Sequence, residues 1–107
     1  MLPELKYDEK GLIPAVIQEV NTGEVLMVAY MDRTALEMTL KTGYTHFWSR
    51  SRKKYWKKGE TSGNLQEVKE VLYDCDEDTL LVKVIQNGSG ACHTGNRTCF
   101  FRKIEDK

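Results

Sequence analysis

The stretch that most constrains this chain is residues 73–102, YDCDEDTLLVKVIQNGSGACHTGNRTCFFR, which holds all three cysteines and one of the two histidines. An apolar run separates a cluster of carboxylates from a glycine-rich turn, and that turn leads directly into Cys92, His93 and Cys99. Sixteen residues separate Cys75 from Cys92, and six separate Cys92 from Cys99. Three soft donors without a fourth cysteine fit zinc with an open coordination position, because closed structural sites use four protein ligands. The competing reading is that these are buried thiols, since cysteine often serves as a small apolar residue. Around Cys75 stand Asp74, Asp76, Glu77 and Asp78. A hard cation such as Mg²⁺ would relieve their mutual repulsion; a solvated acidic turn would also accommodate them.

The chain has 107 residues, with sixteen basic and sixteen acidic side chains and a formal net charge of zero. That length suits one domain, residues 1–107, with a thin core. Zero net charge argues against a general nucleic-acid or membrane footprint. An odd cysteine count forms no closed disulfide framework, and no run of 18 apolar residues occurs, so a soluble, cytoplasmic protein is expected.

Residues 12–20 predict a strand entered through Pro14, residues 21–24 a turn, and residues 25–30 its hairpin partner. Asp32 is a plausible N-cap for a helix over residues 34–42, with Leu36 and Leu40 on one face and Gly43 as its stop. Strands are further expected over residues 44–49, 65–73, 79–86 and 98–104, and residues 1–10 should be a loose or partly helical arm. These elements read as α+β: a small strand-dominated domain, a mostly antiparallel sheet or partly closed roll with one main helix. His46 reads as a hydrogen-bonded structural or pocket-wall residue rather than a ligand, although it shares with His93 the chemistry of a proton carrier.

Residues 50–58 interleave Arg50, Arg52, Lys53, Lys54, Lys57 and Lys58 with Tyr55 and Trp56. Such a segment can be a solvated loop, can hold single-stranded nucleic acid by attraction and stacking, or can hold one phosphorylated nucleotide through charge-assisted bonds. The following Gly59, Glu60, Thr61, Ser62, Gly63 and Asn64 supply N–H groups, hydroxyls and an amide, the parts of a phosphate or ribose cradle. They favour the small ligand. GxxxxGK[ST] is absent, so this is not a P-loop.

Two segments resemble one family. DCDxDxLLxxVxQxGxxACHTGxRxCF in the stretch above, and WSRSRxxxWxKGETSGN upstream, are similar to the two signatures of phosphoribosyl-AMP cyclohydrolase, which opens an adenine ring in histidine biosynthesis; the resemblance covers roughly residues 8–102. It implies a homodimer with one Zn²⁺ per chain, bound by Cys75, Cys92 and Cys99 with Cys75 coming from the opposite subunit. It also implies Mg²⁺ on Asp74, Asp76 and Asp78, proton handling by His93, and substrate contacts from Trp48, Arg50, Ser51, Arg52, Lys57, Gly59, Glu60, Thr61, Ser62 and Asn64. The substrate implied is a small phosphorylated nucleotide, with neither nucleic acid nor membrane as partner. A zinc-containing single-strand nucleic-acid binding module is the other reading of the basic segment, and the acidic cluster counts against it.

Overall fold

The computed structural model describes residues 2–105. Strands β1 (Ile13–Glu19), β2 (Val25–Met31), β5 (Gln66–Tyr73) and β6 (Leu80–Gln86) form one sheet in the order β2-β1-β6-β5. The outer pairs are antiparallel and the central pair, β1 with β6, is parallel. Helix α1 (Arg33–Thr42) follows β2, and β3 (His46–Ser49) pairs with β4 (Lys54–Lys57) as a separate antiparallel hairpin. This is the expected strand-dominated α+β arrangement with a single main helix.

Alternation explains the core. In β1, Ile13, Ala15 and Ile17 are buried while intervening residues are half-buried, and β6 repeats the pattern with Leu80, Val82 and Val84. Leu26 and Met31 of the neighbouring β2 belong to the same core, joined by Leu36 of α1 and Phe47 of β3. Each such side chain contributes about 1.5 to 3 kcal/mol on burial. Pro14 is tolerated in a central strand because the ladder to β6 starts only at Ala15, so no bond is lost on that side. Along β5 the sequence alternates poorly because the register against β6 shifts between Val68 and Glu70.

Helix α1 starts and ends at its signals. The Asp32 carboxylate accepts from the Ala35 N–H at 2.8 Å, and Gly43 adopts φ 80° while donating to the Thr39 carbonyl. Its inward face differs from expectation: Ala35, Leu36 and Thr39 are buried, and Leu40 is 48% exposed. Thr39 is drawn inward because its hydroxyl accepts the His46 N–H at 2.9 Å and donates to the Ala35 carbonyl at 2.9 Å. His46 is buried with Nδ1 bonded to the Tyr44 carbonyl at 2.8 Å, in keeping with a structural role.

The expected closing strand is not formed, and the expectation for the N-terminal arm holds in part. Residues 98–104 form no strand: they meet the β2 edge through the Cys99 N–H to Leu26 carbonyl bond (2.7 Å) and the Thr98 hydroxyl to Val25 carbonyl bond (2.7 Å), after which Phe100, Phe101 and Ile104 are exposed. The N-terminal arm is not helical over residues 2–10; Leu2, Leu5 and Tyr7 instead pack against the core, and Met1 lies outside the described residues. No helix is long and apolar enough to cross a membrane among the described residues.

Candidate active site

Strands β1 and β6 run parallel, so their C-terminal ends share one end of the sheet with the starts of β2 and β5. At this end the chain leaves β6 through the turn at residues 87–90 and forms the loop containing Cys92, His93 and Cys99. The loop closes on itself: Ala91 N–H donates to the Arg97 carbonyl (3.0 Å), Cys92 N–H to the Asn96 carbonyl (3.2 Å) and Gly95 N–H to the Cys92 carbonyl (3.0 Å). Gly90, at φ 141°, is required here, since a Cβ would lie 2.4 Å from Arg97 Cα.

A charged anchor ties the loop to the sheet. Glu19, 4% exposed, accepts the Gln86 N–H at 2.9 Å and the Asn21 N–H at 3.2 Å, and it faces Arg97 at 3.7 Å. Arg97 also pairs with Glu24 at 2.9 Å. A buried carboxylate needs such partners, because an unpaired one costs several kcal/mol.

The loop brings Cys92 and Cys99 near enough for each thiol to shift the other's ionisation. The Cys92 thiol is held below its ordinary range, chiefly by the Thr94 hydroxyl at 2.9 Å and then by the Thr94 N–H. Partial desolvation, followed by the charge on Cys92, pushes Cys99 up. Cys75 is elsewhere. It is exposed in the turn between β5 and β6, at the far end of a seven-residue strand that spans about 23 Å at 3.3 Å per residue. Within one chain the three sulfurs are therefore split two and one.

The same distant turn carries Asp74, Asp76 and Asp78. Each offers a carboxylate oxygen, and these atoms lie within 4.8 Å of one another, an exposed group able to hold a cation. The backbone N–H of Asp78, supported by that of Thr79, holds Asp74 below the usual carboxylate range.

Beside the cysteine loop opens a cleft of about 630 Å³ lined by Arg52, Lys54, Lys57, Lys58, Trp56 and His93, with Ser49 and residues 59–62 completing the wall. His93 is exposed and faces this cleft while its neighbour Cys92 is buried. Of the residues singled out from sequence, Arg52, Lys57, Gly59, Glu60, Thr61, Ser62 and His93 line it. Arg50 lies outside, 4.0 Å over the Tyr30 ring, and Trp48 packs edge-on against Tyr55 at 4.9 Å. The Ser51 hydroxyl meets that of Ser49 in the hairpin turn. Asn64 acts as a clamp: its carbonyl oxygen accepts the Ser89 N–H and its amide donates to the Ser89 hydroxyl, both at 3.2 Å. Gly88 is needed opposite it, because a Cβ there would fall 1.9 Å from Asn64 Oδ1.

The cleft wall is supported from below by a buried chain of amides. Gln66, fully buried, accepts from the Thr45 hydroxyl (2.8 Å) and donates to Gln86 Oε1 (2.8 Å). The Gln86 amide in turn donates to the Asn64 and Asn87 carbonyls at 3.1 and 3.0 Å. Every buried side-chain polar atom among the described residues has a partner. Lys54, Trp56 and Lys58 line the cleft as members of the basic segment read from sequence, and Ser49 lines it from the WSRSR signature, although the sequence gives none of the four its own substrate contact. The signal for Lys54 and Trp56 was the short pattern KYWK, which pairs back across the basic turn onto residues 46–49.

Residues 27–101 match the family model described as phosphoribosyl-AMP cyclohydrolase. A phosphoribosyl-AMP cyclohydrolase of Archaeoglobus fulgidus is 63% identical over 102 residues, covering 95% of this chain and 94% of that protein. One from Pelotomaculum thermopropionicum is 65% identical over 104 residues, covering 97% and 80%. A histidine biosynthesis bifunctional protein of Caldanaerobacter subterraneus is 57% identical over 106 residues, or 99% of this chain and 51% of that protein.

Proposed function

We propose that this chain, which belongs to the phosphoribosyl-AMP cyclohydrolase family and is a hydrolase of histidine biosynthesis, breaks the N1–C6 bond of the adenine ring in 1-(5-phosphoribosyl)-AMP. The observation that carries this reading is the cationic cleft with His93 on its wall, set directly beside the Cys92–Cys99 pair. Arg52, Lys54 and Lys57 match the phosphates of a nucleotide substrate by charge-assisted bonds, and Trp56 offers an aromatic wall to its base.

The donor set fits zinc. Two sulfurs already adjoin, and Cys75, exposed at the opposite end of the sheet, is free to complete the set of a second copy. This supports a homodimer of single-domain chains, residues 1–107, with two shared sites. Zinc held by Cys92, Cys99 and the partner's Cys75 would supply Lewis acidity that brings the pKa of a water molecule toward about 7. Asp74, Asp76 and Asp78 would hold Mg²⁺ through hard oxygen donors. The protein's own part is to orient C6 of the base toward the cysteine pair and to move protons. His93 accepts one from the attacking water and delivers it to N1 as the N1–C6 bond breaks. N1 alkylation makes C6 electron-poor, which is why water adds there.

The test is to supply 1-(5-phosphoribosyl)-AMP with zinc and Mg²⁺ present and follow the product by mass spectrometry with an ammonia assay. An imidazole carboxamide product heavier by one water, without ammonia, is expected. Ammonia release would reassign the chemistry to deamination.

A further inference from the structure

Lys58 stands in the basic segment and in the WxKGETSGN signature, with no individual role assigned to it there, and it joins the site's two halves. Its backbone N–H donates to the Thr45 carbonyl at 3.1 Å, fixing the chain as it leaves β4. Its side chain lines the cleft with His93 and then reaches across to the Ala91 carbonyl, the residue immediately before Cys92. The other half of the contact is rigid too, since the Ala91 N–H is bonded to the Arg97 carbonyl at 3.0 Å.

We propose that Lys58 is a positioning residue: its ammonium, fixed on the Ala91 carbonyl, holds the cysteine loop against the cleft and offsets the negative charge gathered on the cysteine sulfurs. Three thiolates around a dication leave one net negative charge, and the cleft wall places the Lys58 ammonium on the residue next to Cys92. Lys57, the adjacent cation, is differently disposed, with Nζ 4.7 Å over the Tyr44 ring. The two lysines therefore divide the work: Lys57 faces the substrate's phosphates and Lys58 the sulfur ligands. This inference rests on the zinc reading above.

Lys58→Met keeps the length of the stem and removes charge and donor; Lys58→Gln removes the charge but keeps a donor; Lys58→Arg keeps both. Zinc dissociation constants by chelator competition, kcat and KM, and thermal unfolding of each zinc-loaded variant provide the readouts. Lys58→Met and Lys58→Gln are each expected to weaken zinc binding about 10- to 100-fold, the scale for losing a group that supports a metal ligand. In both, kcat falls while KM stays within about threefold, and Lys58→Arg recovers most of the loss. Wild-type zinc affinity and kcat in whichever neutral variant folds would overturn the inference while leaving the zinc reading intact. A rise in KM alone, with zinc affinity unchanged, would overturn it by moving Lys58 to the phosphate site. Wild-type protein that turns over substrate without binding zinc would overturn the zinc reading and this inference together.

Discussion

Glu19→Ala tests whether the buried carboxylate is what secures the cysteine loop. The substitution strips the acceptor from the Gln86 N–H, a fully buried bond of 2.9 Å, and from the Asn21 N–H at 3.2 Å. Hydrogen bonds to a charged group are worth about 1.5 to 3 kcal/mol, and a buried donor left without a partner costs a similar amount. The ion pair to Arg97 adds little, about 0.5 to 1 kcal/mol, because it is 3.7 Å long, Arg97 is half exposed and Glu24 remains as its partner. The total is about 3.5 to 7 kcal/mol, which in urea should lower the unfolding midpoint by roughly 2 to 3 M for a small domain. Glu19→Gln retains one acceptor oxygen and should lose about half as much. If the loop depends on this anchor, Cys92 in the folded Glu19→Gln variant reacts faster with an exogenous disulfide reagent than in wild type. A midpoint shift in Glu19→Ala below about 0.5 M, or unchanged Cys92 reactivity in Glu19→Gln, would refute the reasoning.

Cys75→Ser and Cys92→Ser should each lose zinc and activity, and mixing them should restore part of both, because one site of a mixed dimer is intact; no recovery in proven heterodimers would place all three sulfurs in one chain's site. Arg52→Ala and Lys57→Ala should raise KM by an amount matching about 1.5 to 3 kcal/mol each, with zinc content unchanged, and Arg50→Ala should raise it less because Arg50 is engaged over Tyr30. His93→Ala should slow turnover roughly 10²- to 10⁴-fold while zinc content, read by metal analysis, stays the same. The Tyr55 phenol donates to Asp32 Oδ2 at 2.6 Å, and chiefly this bond raises its pKa above 10.0. Its folded pKa exceeds the unfolded one, so the stabilisation is present below pH 10.0 and is lost as pH rises through the folded value. Tyrosinate absorbance should thus appear at higher pH in wild type than in Asp32→Ala.

Much of the fold was readable because its signals are local. Asp32 and Gly43 bracket α1 through their own backbone chemistry, and the alternation of residues 79–86 states which side of β6 is buried. The parallel pairing of β1 with β6 was not readable, since either strand taken alone is compatible with several neighbours. β4 was hidden because four residues flanked by charges carry little pattern, and residues 98–104 misled because Phe100, Phe101 and Ile104 favour strands wherever they stand. In the candidate site, the motifs supplied the chemical identities of Cys92, His93 and Cys99, and a tight loop brings such near neighbours together. The resemblance assigned Cys75 to the opposite subunit's site, but the physical reason, that β6 holds Cys75 at the far end of the sheet within one chain, lies in the fold. Glu19 passed as an ordinary strand end because its value lies in Gln86 and Arg97, which are remote in sequence.

The central β1–β6 ladder also sets how this chain must fold. Ala15 pairs with Leu80 and Glu19 with Val84, so the sheet's middle closes only after nearly the whole chain is available. During synthesis β1 and β2 can meet early as a hairpin, but their shared apolar face waits uncovered until β6 arrives. Such long-range pairing slows folding and leaves the half-built sheet open to association with other chains. Because the acidic turn precedes β6 and the cysteine loop follows it, neither is anchored before that last strand docks. Site assembly is therefore a late event, concurrent with global folding, and agents that slow β6 docking should delay activity and the burial of Phe47 and Trp56 in parallel.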